Sequence, residues 1–182
     1  LLLLLLLLLL AACRAQGLPE PYATLETGGK EALRQVALEA QGFAGLLAGW
    51  LLVGEEDLPL AERAEYAWRY ALFLEEVRAF EPGWEAEAAW RVAAPLLEAA
   101  EDARAFSAWE RLLPEEEAVQ ALLRLGQGER LWEALFRGRA YEPLLKALPE
   151  GERPDLRAQA LYRLGRYEEA LPHYRAWAEA DP

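Results

Sequence analysis

Few side chains in this sequence are equipped for chemistry, and their spacing limits what each could do. His173 is the only histidine. An imidazole can act as a base near neutral pH or ligate a metal, but both roles need a second group beside it. Next to Tyr174, on the exposed flank of the last helical stretch, it reads as an ordinary surface residue. Ser107 is the only serine, with no His or Lys in local reach, so a serine triad would have to recruit distant His173. One Cys and one His are too few for a Cys/His zinc site. Gly28-Gly29-Lys30 resembles the tail of a phosphate loop, but Glu31 stands where Ser or Thr is needed and no strand precedes it. Its expected role is a turn before a helix.

Carboxylates are plentiful, 27 of them Glu. They stand beside Arg on helical stretches, as in Glu62/Arg63, Glu65/Arg69 and Glu168/Arg175, a placement that suits solvated ion pairs. None sits in an apolar run that would raise its pKa toward general-acid work. Seven Trp and seven Tyr recur at helical spacing and belong mainly to the core. Trp84, just after Pro82-Gly83, is the candidate ligand-facing aromatic, to be tested with glycan fragments or peptides. No catalytic residue, metal site or cofactor is expected.

The N-terminus carries a different chemistry. Leu1 to Leu10 are consecutive leucines, followed by Ala11, Ala12 and Cys13. Twelve apolar residues fall short of the roughly 20 that span a bilayer as a helix, and instead match the core of an export signal before a small-residue cleavage site. Leu10-Ala11-Ala12-Cys13 resembles the lipobox of bacterial lipoproteins, in which Cys13 would become the lipidated first residue and a membrane anchor. A conventional cut after Ala15 and an uncleaved membrane-embedded helix are the alternatives. Residues 1–12 are thus expected to be signal and 13–29 a linker, with 30–182 forming a helical domain that continues beyond Pro182. The expected location is the cell envelope or periplasm.

Composition defines the elements that must position these residues. Leu and Ala number 38 and 35, whereas only seven residues are β-branched (five Val, two Thr, no Ile). Strands rely on such side chains, so the fold class is all-α. Arg outnumbers Lys 17 to 2, and Asn and Met are absent, a thermophile-like bias. A net charge of −12 and the lack of any basic run exclude nucleic acid as a partner. Part of the acid is helix chemistry: Glu115, Glu116 and Glu117 after Pro114, and Glu168 and Glu169, suit first turns.

Apolar stripes run through Leu33, Val36, Ala37 and Ala40, then Leu46, Leu47, Trp50 and Leu51, with Gly42 and Gly45 weakening or bending the helix between them. Gly54 to Pro59 reads as a loop. The longest helix follows from Leu60 to Phe80, stopped by Glu81-Pro82-Gly83. The next starts near Trp84, with Pro95 either kinking it or opening a second segment. Asp102 can cap the stretch through Phe106, Trp109 and Leu112. Beyond Gly126 the helices become short, with breaks at Gly126–Gly128, Gly138, Pro149–Pro154 and Gly165. Helices of about ten residues are unstable alone and need stacking against neighbours, which predicts an α-solenoid.

The last stretch is the best defined. In Ala158-Gln-Ala-Leu-Tyr-Arg-Leu-Gly165-Arg-Tyr167-Glu-Glu-Ala170-Leu-Pro-His-Tyr174-Arg-Ala-Trp177 the chain resembles a tetratricopeptide repeat (TPR). Gly165 supplies the turn, Tyr167 opens the second helix, Ala170 and Tyr174 form the small-then-aromatic pair, and Pro182 marks the repeat end. Trp177 replaces a small residue, and Pro154 and Arg157 stand where Trp and Leu are usual. The resemblance implies a right-handed superhelix of antiparallel helix pairs.

Gly45-Leu-Leu-Ala-Gly-Trp50, Leu58-Pro-Leu-Ala-Glu-Arg63, Tyr66-Ala-Trp-Arg-Tyr70 and Ala121-Leu-Leu-Arg-Leu-Gly126 extend a second likeness. With the last repeat they resemble the N-terminal superhelical arm of bacterial soluble lytic murein transglycosylases. That resemblance implies a non-catalytic scaffold working on peptidoglycan. The family's catalytic Glu-Ser dipeptide is absent, and its Met- and Asn-containing motifs are impossible here, so no catalytic residue carries over. The alternative is a stand-alone TPR lipoprotein that docks envelope proteins in a concave groove.

Overall fold

A computed structural model describes residues 20–78 and 86–180. Among the described residues the chain is helical throughout and has no strand. It divides into two compact units, one up to Ala100 and one from Glu101, within the single helical domain expected over 30–182.

In the first unit, α1 (Tyr22–Thr27) lies in the segment read as linker, and α2 (Lys30–Glu39), α3 (Phe43–Leu52), α4 (Leu60–Arg78) and α5 (Ala86–Ala99) follow. The stretch before Leu60 breaks fully instead of bending. Gly42 adopts φ +78°, a left-handed conformation that glycine reaches without a steric penalty, and separates α2 from α3. The loop over 54–59 and the start of α4 at Leu60 follow the sequence reading. Phe80 and the Glu81-Pro82-Gly83 stop lie outside the described residues. Pro95 sits inside α5 on its exposed face. There the carbonyl it leaves unbonded can meet water, so the helix continues through it.

α3 inverts the expected stripe. Its inward residues are Ala44, Gly45, Ala48, Gly49 and Leu52, while Leu51 is exposed and Leu46, Leu47 and Trp50 are only half-buried. The cause is close approach. A Cβ at Gly49 would press on the Tyr66 ring at 2.9 Å, and one at Gly45 would collide with the carbonyl of Ala40. Nearly every α3 residue is apolar, so periodicity cannot select the buried face.

α4 and α5 form the broadest contact of this unit. Ala64, Ala67 and Ala71 of α4 meet a face of α5 built from Ala86, Ala89, Trp90, Ala93, Ala94 and Leu97. Trp68 lies edge-on to Trp90 at 5.1 Å. Trp50 of α3 stacks on Tyr70 of α4 at 4.5 Å.

The second unit contains α6 (Ala105–Glu110), α7 (Glu116–Leu125), α8 (Gly128–Arg137), α9 (Tyr141–Ala147), α10 (Pro154–Arg163) and α11 (Tyr167–Ala180). Asp102 acts one turn before α6, accepting the backbone N–H of Arg104 at 2.8 Å in an Asx turn. Glu116 and Glu117, and Glu168 and Glu169, occupy the first turns of α7 and α11 as expected. Each substantial contact in this unit joins one helix to the next: α6 to α7, α7 to α8, and so on to α11. Alanine is the commonest interior residue in both units, supplying 19 of the 37 buried apolar positions among the described residues, 10 of 17 in the first unit and 9 of 20 in the second.

Candidate functional site

The structure brings Gly165, Tyr167, Ala170, Tyr174 and Trp177 together in the α10–α11 hairpin; Cys13, Trp84 and Pro182 lie outside the described residues. Gly165 has φ +75° and its N–H reaches the carbonyl of Tyr162 at 3.0 Å. The N–H of Arg166 reaches Leu161 at 2.9 Å. Together these close a Schellman motif, in which a left-handed residue ends one helix before the next begins. Ala170 is buried at 2% exposure, where a small side chain lets α11 approach α10. Tyr174 is half-buried and stacks on Trp177 with centroids 6.2 Å apart.

The two departures in the first helix of the repeat have local explanations. Pro154 occupies the first turn of α10, where its missing N–H costs no helical bond. Arg157 donates through Nη2 to the carbonyls of Leu148 (2.6 Å) and Pro149 (3.1 Å), placing a guanidinium on the C-terminal end of α9. Arg63, the fourth residue of α4 as Arg157 is of α10, donates to the carbonyl of Val53 at the end of α3 (2.7 Å).

His173 is half-buried, which corrects its exposed placement. Burial holds its pKa below the ordinary value, the positive charge of Arg157 adds to that, and Glu150 opposes it. Ser107 Oγ accepts from Arg130 at 3.4 Å, and Arg130 lies over the Phe106 ring at 4.2 Å. Gly28 and Gly29 form the turn between α1 and α2, and Lys30 is held by Asp57 (2.5 Å) and Glu55 (3.0 Å).

The carboxylates with resolved shifts, namely Asp57, Glu62, Asp102, Asp155 and Glu169, all lie below the usual range, each chiefly through a hydrogen bond from Lys or Arg. Such groups are anionic struts, the opposite of a raised general acid. The most developed strut is Glu62. It takes a bidentate pair from Arg34 of α2 (2.8 and 2.6 Å) and a hydrogen bond from the buried Tyr66 hydroxyl at 2.8 Å. Burial, then Glu62, pushes the Tyr66 pKa up to about 12. Among the described residues no His/Cys/Asp/Glu group could hold a metal ion.

What the hairpin does present is apolar surface. Tyr162, Tyr167, Leu171 and Trp177 are 54%, 61%, 51% and 37% exposed, and the Tyr162 and Tyr167 rings lie 5.2 Å apart. Sequence reasoning singled out Tyr167 and Trp177 for packing, and missed Tyr162 and Leu171. The signal was available, since Tyr167, Leu171 and Tyr174 recur at 4-3 spacing along a stripe whose edge adjoins Ala170.

Comparison with protein-family profiles, with curated proteins and with solved structures finds no match. No described helix is long and apolar enough to cross a membrane.

Proposed function

We propose that the chain is a non-catalytic helical scaffold of the cell envelope that works by binding, its short helices forming an α-solenoid of TPR-like hairpins. One arrangement supports this reading above all: helices of six to ten residues, each packed on its sequence neighbour from α6 to α10. A helix that short gains its stability from the neighbouring face, which is how solenoid repeats are built. Within that class we favour the superhelical arm of a peptidoglycan lytic transglycosylase, exported and held to a membrane through Cys13.

Co-sedimentation with purified peptidoglycan sacculi tests the ligand. Retention in the pellet without release of soluble muropeptides is expected, and a chain that stays in the supernatant overturns the arm assignment. Reading the gene beyond Pro182 for a lysozyme-like domain with a Glu-Ser dipeptide is an independent check. Mass spectrometry of the native N-terminus tests the anchor: an acylated Cys13 is expected, and a peptide starting at Gln16 removes it. The second reading, a TPR lipoprotein that docks envelope proteins, is favoured by the exposed aromatic surface on α10 and α11.

A further inference from the structure

The turn between α8 and α9 reproduces the turn between α10 and α11 at a displacement of 26 residues. Arg139 adopts φ +61° where Gly165 adopts φ +75°. The N–H of Arg139 reaches the carbonyl of Phe136 at 3.1 Å, and that of Ala140 reaches Leu135 at 2.9 Å. These bonds match, residue for residue, the pair that Gly165 and Arg166 make with Tyr162 and Leu161. The rings beside the turn follow the same step. Phe136 and Tyr141 meet edge-on at 5.8 Å and 62°, and Tyr162 and Tyr167 at 5.2 Å and 62°.

The step continues one helix pair further back. Ala108, Ala134 and Ala160 are each wholly buried in the first helix of a pair, and Trp109, Leu135 and Leu161 are buried beside them. In the second helices Ala118, Leu144 and Ala170 are buried. Two exposed positions also keep one residue type. Arg111, Arg137 and Arg163 stand at the C-terminal end of the first helix, and Glu116, Glu142 and Glu168 in the first turn of the second. A cation at a helix C-terminus and an anion at a helix N-terminus both oppose the helix dipole, so each recurring charge has a structural reason. The earliest pair keeps these positions but not the turn. Leu113 stands where Arg139 and Gly165 do, and Pro114 follows it with no N–H for the second bond of the motif.

We infer that residues 102–179 are three tandem copies of one 26-residue helix-hairpin unit, namely 102–127, 128–153 and 154–179. Side chains bridge successive copies: Arg137 to Glu110 at 2.7 Å, Arg166 to Glu142 at 3.4 Å, and Arg157 to the Leu148 carbonyl at 2.6 Å. The surface that each hairpin offers is thus a docking face for another of its own kind, as in arrays whose units contact only their neighbours. The unit is shorter than the roughly 34 residues of a tetratricopeptide repeat, so the array has a step of its own. The inference deepens the solenoid part of the proposed function by fixing its unit and register. It needs neither peptidoglycan nor Cys13, so failed binding to sacculi leaves it standing.

Duplication of residues 128–153 within the full chain, read by hydrogen exchange and mass spectrometry, tests the unit. Peptides from the two identical segments share one sequence. A folded insert therefore gives a single slowly exchanging mass envelope, and an unfolded insert adds a second, fast one. The single envelope is expected. Duplicating 128–140 alone adds a short helix without its partner, for which the fast envelope is expected. An unprotected hairpin insert, or a protected lone helix, overturns the assignment.

A second measurement asks whether the two turns are equivalent, with the chain length unchanged. Arg139→Gly should raise the folding equilibrium constant about twofold to fivefold, and Gly165→Arg should lower it by about the same factor. A Cβ at Gly165 meets nothing within 4 Å, so the left-handed conformation alone decides the cost. The double exchange R139G/G165R should stay within about twofold of the original constant in urea unfolding. A loss of more than about tenfold in the double exchange shows unlike turns and overturns the repeat.

Discussion

Tyr66 shows how a single residue does several jobs in this fold: its ring fills the space opposite Gly49 and its hydroxyl steadies the Arg34–Glu62 pair. Tyr66→Phe keeps the ring and loses a buried hydrogen bond to a charged acceptor, at a cost of about 1.5–3 kcal/mol. Urea unfolding at pH 7 measures that loss. Because the folded pKa is raised to about 12, the tyrosine's contribution is complete below its unfolded value near 10 and is lost as pH rises toward 12. The Phe variant should lack this alkaline decline.

Gly138 and its neighbour divide roles that a sequence reader assigns to one glycine. Gly138 marks the break as expected, yet the left-handed residue is Arg139 at φ +61°, and a Cβ at Gly138 would strike the Leu113 side chain. Arg139→Gly should therefore stabilise the fold by about 0.5–1 kcal/mol, since the left-handed penalty outweighs glycine's entropy. Gly138→Ala should cost about 1–3 kcal/mol through overpacking, and thermal melts of the two variants should shift in opposite directions. His173 was legible as the one histidine but not as a half-buried one, because its covering and the Arg157 charge that depress its pKa come from the packing of the hairpin. With the folded pKa below the unfolded value, stability is lost as pH falls from about 6.5 through the folded value. His173→Gln should flatten that dependence, as read from melting temperature between pH 7.5 and 5.

At the scale of elements, Arg63 and Arg157 stand at the same position of two different helices and act on the C-terminal end of the helix before. Replacing either by Met keeps the aliphatic packing and removes the charged donor, which should cost about 1–2 kcal/mol in chemical unfolding. Helix existence was legible almost throughout, because Ala, Leu, Glu and Arg at 3.6-residue spacing admit little else. Helix faces were less legible. α4 declares its face through polar residues on the other side, whereas α3 has none, and the choice of Gly45 and Gly49 for its interior depends on Tyr66 and Ala40. The expected pairing of Glu62 with Arg63 failed for a related reason. Adjacent residues on a helix point apart, so Glu62 found Arg34 across the α2–α4 boundary instead.

For the whole molecule, all-helical architecture followed from the scarcity of β-branched residues, whereas the division at Ala100 had no marker in composition or linker sequence. The candidate surface was half-readable. Its residues sat within the repeat-like segment, but a list of spacings does not tell core from surface, and only the packing shows that Tyr162, Tyr167 and Leu171 are exposed among the described residues.

The alanine interior also has a thermal consequence. Unfolding raises heat capacity in proportion to the apolar area it exposes, and an alanine exposes far less than a leucine. With Ala holding about half of the buried positions among the described residues, calorimetry should give a heat-capacity increment below the usual value of about 12–15 cal/mol/K per residue. A smaller increment flattens the curve of stability against temperature, so the fold weakens slowly on both heating and cooling. A hot habitat would favour such a protein less for how strongly it is held than for how little that hold changes with the weather.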